Sequence, residues 1–137
     1  MKYGELIVEN LTPSQSVKTD ANKQLVSSQA SITFVLDSPV ATDVFPICQV
    51  PVGITVTKVT ATVKGGTSIT FNIEQRSSST LASAGTNVMT SSLVATTTGA
   101  NTTSFSGASI SAYAFLVFVA SAASGTPTQI VITIEYS

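Results

Sequence analysis

Apolar and polar residues alternate with a period of two along much of this chain, the spacing of a strand rather than a helix. Ile69, Phe71 and Ile73 alternate with Thr70, Asn72 and Glu74, and Ile130, Ile132, Ile134 and Tyr136 alternate with Val131, Thr133 and Glu135. Successive side chains of a strand point to opposite faces, so each run predicts a half-buried strand with one face toward a core. Residues 54–63 change phase: Ile54 and Val56 occupy one, Val59, Ala61 and Val63 the other. An extra residue near Thr57 and Lys58, a β-bulge, reconciles the two. Residues 113–120 are apolar in both phases, which predicts a central strand covered on both sides, by a second sheet or by another subunit.

Adding strands over residues 32–36, 44–49 and 92–97 makes seven or eight, with turn signals at Gly65-Gly66, Gly85, Gly99 and Ser124-Gly125. That spacing predicts an antiparallel β-sandwich, with Gly65-Gly66 as a hairpin turn, since glycine tolerates positive φ. No stretch keeps a helical period, and β-branched Thr and Val disfavour helix interiors. The pattern changes before residue 31. Leu6-Ile7-Val8 reads as a short strand, Leu11-Thr12-Pro13-Ser14 as a turn, and a polar stretch closes on Leu25-Val26. Such a piece buries too little apolar area alone, so residues 1–30 are expected to form an extended N-terminal arm lying on the sandwich, a neighbouring subunit or a partner, with the sandwich over 31–137.

Composition then narrows the chemistry. The chain has no His, no Trp, one Cys and 13 charged residues in 137 (6 basic plus 7 acidic). Acid-base and nucleophilic catalysis draw on His, Cys or clustered carboxylates, whereas these acids are scattered, so no enzyme activity and no cofactor are expected. Asp20, Asp37 and Asp43 lack the spacing of a calcium loop, and no metal site is expected. A net charge of −1 with dispersed Lys speaks against nucleic acid. The apolar run 113–120 is far short of the roughly 20 residues that span a membrane, and the acidic start, with Glu5 and Glu9, does not resemble a signal peptide. Cys48, among Phe45, Pro46, Ile47 and Val50, reads as a buried, inert thiol. Gly65-Gly66 has no helix after it and is not read as a phosphate loop, and the Asn10-Leu11-Thr12 and Asn101-Thr102-Thr103 acceptor patterns are read as chance matches. The Ser and Thr runs 77–80 and 96–98 lack an activating base and suit turns and strands; Tyr3, Tyr113 and Tyr136 are read as core or interface aromatics.

Two stretches resemble phage virion proteins. Leu11-Thr12, Ser14, Val17, Thr19-Asp20, Leu25 and Ser27-Ser28 look like a segment of tail-fibre and other virion chains. Val50-Pro51-Val52-Gly53, Gly65-Gly66-Thr67-Ser68, Ala84-Gly85-Thr86-Asn87, Thr97-Thr98-Gly99, Thr103-Ser104-Phe105 and Ser124-Gly125-Thr126 follow an order similar to a β-sandwich module of phage structural proteins. The resemblance implies a jelly-roll-like fold and a virion component, often a homotrimer. A chain this short looks more like a decoration, cement or head-fibre subunit than a tail fibre.

The expectation is therefore a non-enzymatic virion protein made in the host cytoplasm, a trimeric capsid decoration or accessory subunit partnered by the major capsid protein or other virion proteins. Its arm, with Leu6, Ile7, Val8, Leu11, Pro13, Val17, Leu25 and Val26, would supply attachment, and Tyr113, Phe115, Leu116 and Phe118 the subunit interface. The alternative is a receptor-binding tip of a tail fibre or spike that recognises glycans through loops 77–83 and 100–106.

Overall fold

The computed structural model describes residues 30–137, together with the backbone of two short strands, β1 (Val17–Thr19) and β2 (Leu25–Ser27), which pair antiparallel. The Leu6-Ile7-Val8 strand lies outside the described residues. From Ala30 onward the chain is strands joined by turns, with a single 3-10 turn at Ser78–Thr80. In the first sheet β3 (Ala30–Asp37) pairs with β12 (Gln129–Tyr136), and β12 with β5 (Ile54–Lys64). The far edge of β5 takes β9 (Ala100–Thr102) and β10 (Ser109–Ile110). In the second sheet β4 (Val44–Gln49) pairs with β11 (Phe115–Ser124), and β11 with β6 (Ser68–Arg76). The far edge of β6 takes β7 (Thr86–Asn87) and β8 (Leu93–Thr96). Every pairing is antiparallel. With β8 and β9 as the fourth strands, the orders 3-12-5-9 and 4-11-6-8 make the chain change sheets at each connection except β6 to β8. That winding is the two-sheet jelly roll.

The alternation in the sequence is what holds the sheets face to face. Ile69, Phe71 and Ile73 of β6 meet Leu116, Phe118 and Ala120 of β11 in one core layer, and Val59, Ala61, Val63, Ile130, Ile132 and Ile134 supply the other. The Phe71 and Phe118 rings sit 5.2 Å apart, and Phe34 lies 6.2 Å from Phe118. Removing each such side chain from water contributes about 1.5–3 kcal/mol. The bulge in β5 falls on Thr57: Glu135 pairs with Lys58 and Tyr136 with Val56, so the register shifts by one residue at Thr57. The one-residue insertion flips the phase, so that both Val56 and Val59 are buried.

Gly65-Gly66 corrects the hairpin expectation. The two strands it joins, β5 and β6, belong to different sheets, so the turn is a corner between layers. Both glycines have positive φ (70° and 61°), and a Cβ on Gly66 would lie 2.7 Å from Pro127 Cδ, because the β11–β12 turn packs directly against it. Strand alternation cannot reveal this, since a hairpin and a sheet-changing corner need the same glycine freedom.

One long side of the sandwich is closed and the other is open. On the closed side β7 and β8 are a single strand broken at residues 88–92, and Asn72 carries the ladder across the break. Its Oδ1 accepts from Met89 N at 3.2 Å and its Nδ2 donates to Met89 O at 3.2 Å, in the manner of a peptide group. The bulged segment then bridges to the first sheet: Met89 pairs with Phe105, Thr90 N donates to Ser104 O, and Ser106 N and Gly107 N donate to Val88 O. On the open side β3 pairs only with β12 and β4 only with β11 among the described residues.

Candidate functional site

The doubly apolar run does become a central strand, β11, and the structure decides what covers each face. Leu116 and Phe118 are fully buried in the chain's own core, so they present no surface to a second copy. Val117, in the opposite phase, is also fully buried but stands outside the core cluster, paired with Glu74 on the outer face of the second sheet. Phe115 is half-buried, and only Tyr113, before the strand begins, is widely exposed. Of the four expected interface residues, Tyr113 and Phe115 alone retain accessible surface. For the arm, Val17, Leu25 and Val26 lie in the β1–β2 pair; Leu6, Ile7, Val8, Leu11 and Pro13 lie outside the described residues.

The outer face of β6 holds a feature the polar phase of its sequence conceals. Asn72, Glu74 and Arg76 alternate with the core residues and read as solvent-facing, yet all three are buried. Glu74 Oε2 accepts from Arg76 Nε at 2.8 Å and lies 2.7 Å from Arg76 Nη2, and it also accepts from the backbone N–H of Gly85 at 2.9 Å. Arg76 Nη1 donates to Leu81 O at 2.9 Å. A charged pair thus ties the loop 77–85 to the strand from which it departs, with three hydrogen bonds to ionised groups, each stronger than a neutral one. Gly85 has to be glycine here, because a Cβ would collide with Gln75 O and reach within 2.7 Å of Arg76 Cγ.

This anchored loop forms one wall of an open cleft of about 390 Å³. Gln75, Arg76, Ser77 and Ser78 line one side, and the turn Ser111 to Ala114 the other. The second loop expected to take part in glycan recognition, 100–106, contributes nothing to this cleft; its residues 104–106 close the sandwich instead.

Of the six large hydrophobic residues that remain exposed among the described residues, Val35, Val40, Val44 and Phe45 fall within one stretch from β3 through the following loop into β4. Phe45 meets Phe34 across the gap between the sheets, with ring centroids 6.4 Å apart. An apolar cleft of about 270 Å³ lies farther along, lined by Ile32, Cys48, Val50, Val52, Ile54 and Tyr136. Cys48 is half-buried there rather than enclosed, and desolvation pushes its thiol above the ordinary value. An elevated thiol is a poor nucleophile at neutral pH, which fits inertness. Asp43 accepts from Val40 N at 2.7 Å and Asp37 from Gln129 Nε2 at 2.8 Å, so both are occupied as turn and strand-end acceptors. Among the described residues no three His, Cys, Asp or Glu groups gather as a metal site would require.

Fold and surface together define the class: an all-β jelly-roll sandwich with one side left unclosed by the described residues. No protein-family model matches the chain, and no curated protein matches it. Among solved structures, a chain of the cyanophage Pam1 capsid asymmetric unit is similar over 97% of this chain and 92% of its own, at 22% sequence identity and a TM-score of 0.37. A TM-score this low transfers no function.

Proposed function

We propose that the chain is a non-enzymatic structural subunit of a phage virion, a capsid decoration or accessory protein that assembles as a homotrimer and docks through residues 1–30. The observation that carries the reading is the side of the sandwich where, among the described residues, β3 and β4 have no further neighbour. Edge strands of monomeric proteins are protected by charge, proline or a covering element. β4 has Pro46, but β3, ASITFVLD, has eight residues with Asp37 as its single charge and Val35 half exposed on its outer face. Exposed apolar side chains on strands that lack a further neighbour suit a contact with another protein, and a neighbouring copy supplies a matching edge. The sequence resemblance to virion modules and the scarcity of catalytic side chains point the same way. Ala30, where the sandwich begins, pairs with Tyr136 beside the apolar cleft.

Light scattering of the purified chain, with and without empty capsids of its phage, tests the reading. A stable trimer that joins the capsids is expected, and a variant lacking residues 1–28 should remain a folded trimer that no longer binds them. A monomer indifferent to capsids overturns the assembly role, and a truncated chain that still decorates particles at full occupancy overturns the role of the arm.

A further inference from the structure

Tyr113 sits in a backbone conformation that its side chain disfavours. Its φ is +64°, in the left-handed region that bulky residues rarely adopt, and it is 69% exposed, the most exposed large hydrophobic side chain among the described residues. The conformation is held from several directions. Tyr113 N donates to Val50 O at 2.6 Å, Gln49 Nε2 donates to Tyr113 O at 3.0 Å, Ala114 N donates to Ser111 O at 3.2 Å, and Ser111 N donates to Gln75 Oε1 at 2.6 Å. Glycine or asparagine would fit this turn with less strain, and the ring gains little burial in exchange. A strained residue held this firmly is a mark of function. The use of the ring therefore lies outside the chain.

The cleft beside the ring states what would meet it. Arg76, its one charged side chain, already has Nε and Nη2 on Glu74 and Nη1 on Leu81 O, so the cleft offers no free cation to a phosphate or carboxylate. The hydroxyls of Ser78 and Ser111 and the Nε2 of Gln75 have no hydrogen-bond partner among the described residues. An exposed aromatic face next to unpaired neutral hydroxyl and amide groups is complementary to a ligand with an apolar ring face and a rim of hydroxyls. About 390 Å³ falls within the range of small-molecule sites.

We propose that the cleft between Tyr113 and loop 77–85 binds a neutral saccharide, with Tyr113 as the stacking platform and Ser78, Ser111 and Gln75 as hydrogen-bonding groups. The inference goes beyond the assembly role and does not depend on it. The ion pair of Glu74 and Arg76 acts indirectly by fixing the loop that presents Ser78.

The test uses the full chain. Soluble neutral oligosaccharides form one arm and polysaccharide extracted from bacterial envelopes the other, with binding followed by saturation-transfer NMR and titration calorimetry. Tyr113→Asn suits the left-handed turn and removes the ring. It should weaken saccharide binding about tenfold or more while the thermal midpoint stays level or rises, and Ser78→Ala should weaken binding to a smaller degree. Binding only in the polysaccharide arm assigns the ligand to a surface polymer; binding in both assigns it to a terminal or short unit. No binding in either arm at millimolar concentration overturns the proposal, as does wild-type binding that Tyr113→Asn leaves unchanged. If Tyr113→Asn instead changes the solution mass, the ring belongs to a subunit contact and the saccharide site is refuted.

Discussion

Glu74→Ala isolates the contribution of the buried ion pair to the fold. The substitution removes the acceptor of two Arg76 contacts and of the Gly85 N–H, leaving a guanidinium with 6% of its side-chain surface exposed and no carboxylate beside it. Breaking one partner of a buried pair costs about 3–5 kcal/mol. Arg76 keeps only Leu81 O, and the orphaned Gly85 amide adds to the loss until loop 77–85 lifts and admits water, so release of the loop sets the upper limit. For a chain of this size each kcal/mol lowers the thermal midpoint by roughly 3–4 °C, so a fall of about 10–18 °C is expected in a melt followed by circular dichroism. Hydrogen exchange at Gly85 should accelerate with it. Replacing both residues, Glu74→Met with Arg76→Met, should recover most of the loss, because no unpaired charge is then buried. A fall of less than about 3 °C for Glu74→Ala would show that the pair neither holds the loop nor is desolvated, and a double variant as unstable as the single would show that an unpaired buried charge is not the cause of the loss.

The same structure gives three further expectations. Asn72→Ala strips Met89 N of its acceptor and leaves Met89 O with only the long contact from Ser106 Oγ, and should cost about 1–3 kcal/mol in urea unfolding, with faster exchange at Met89 than at Phe71. Val35→Lys combined with Val44→Lys places charge on the open side without touching the core and should convert the assembled protein to monomer by light scattering; an unchanged mass would remove this side as the interface. Cys48, with its thiol pushed up by desolvation, should react with a disulfide reagent at pH 8 more slowly than a free thiol. A raised folded value means that the thiol's contribution to stability is fully present below the ordinary value near 9.0 and declines as pH rises through the folded one, so Cys48→Ala should flatten the alkaline fall in the melting midpoint.

Much of the sandwich was legible along the chain because strands announce themselves locally. The phases of β6 and β12 predicted their core faces, and the phase change in β5 placed a bulge near Thr57 and Lys58, which the structure has at Thr57. β9 and β10 escaped notice because each is two or three residues long and keeps no alternation of its own; they are strands only because β5 offers them an edge. Leu116 and Phe118 were read as interface because a run apolar in both phases shows that both faces are covered without saying by what. The candidate cleft was half visible. The serine loop drew attention, but its partner across the cleft, Tyr113, lies 35 or more residues away, and nothing local shows that its φ is positive.

The sequence by itself determined the secondary structure class, the inward faces of β6 and β12, and the poverty of reactive side chains, since these depend on side-chain type and on a period of two. The tertiary structure alone decided that Gly65-Gly66 turns a corner between sheets, that the polar phase of β6 is buried under its own loop, and that one side of the sandwich is sealed while the other stays open. Each of these depends on which distant segments share an edge or a face. Pairing across 39 to 106 residues is a property of the folded chain as a whole, and no local pattern encodes it.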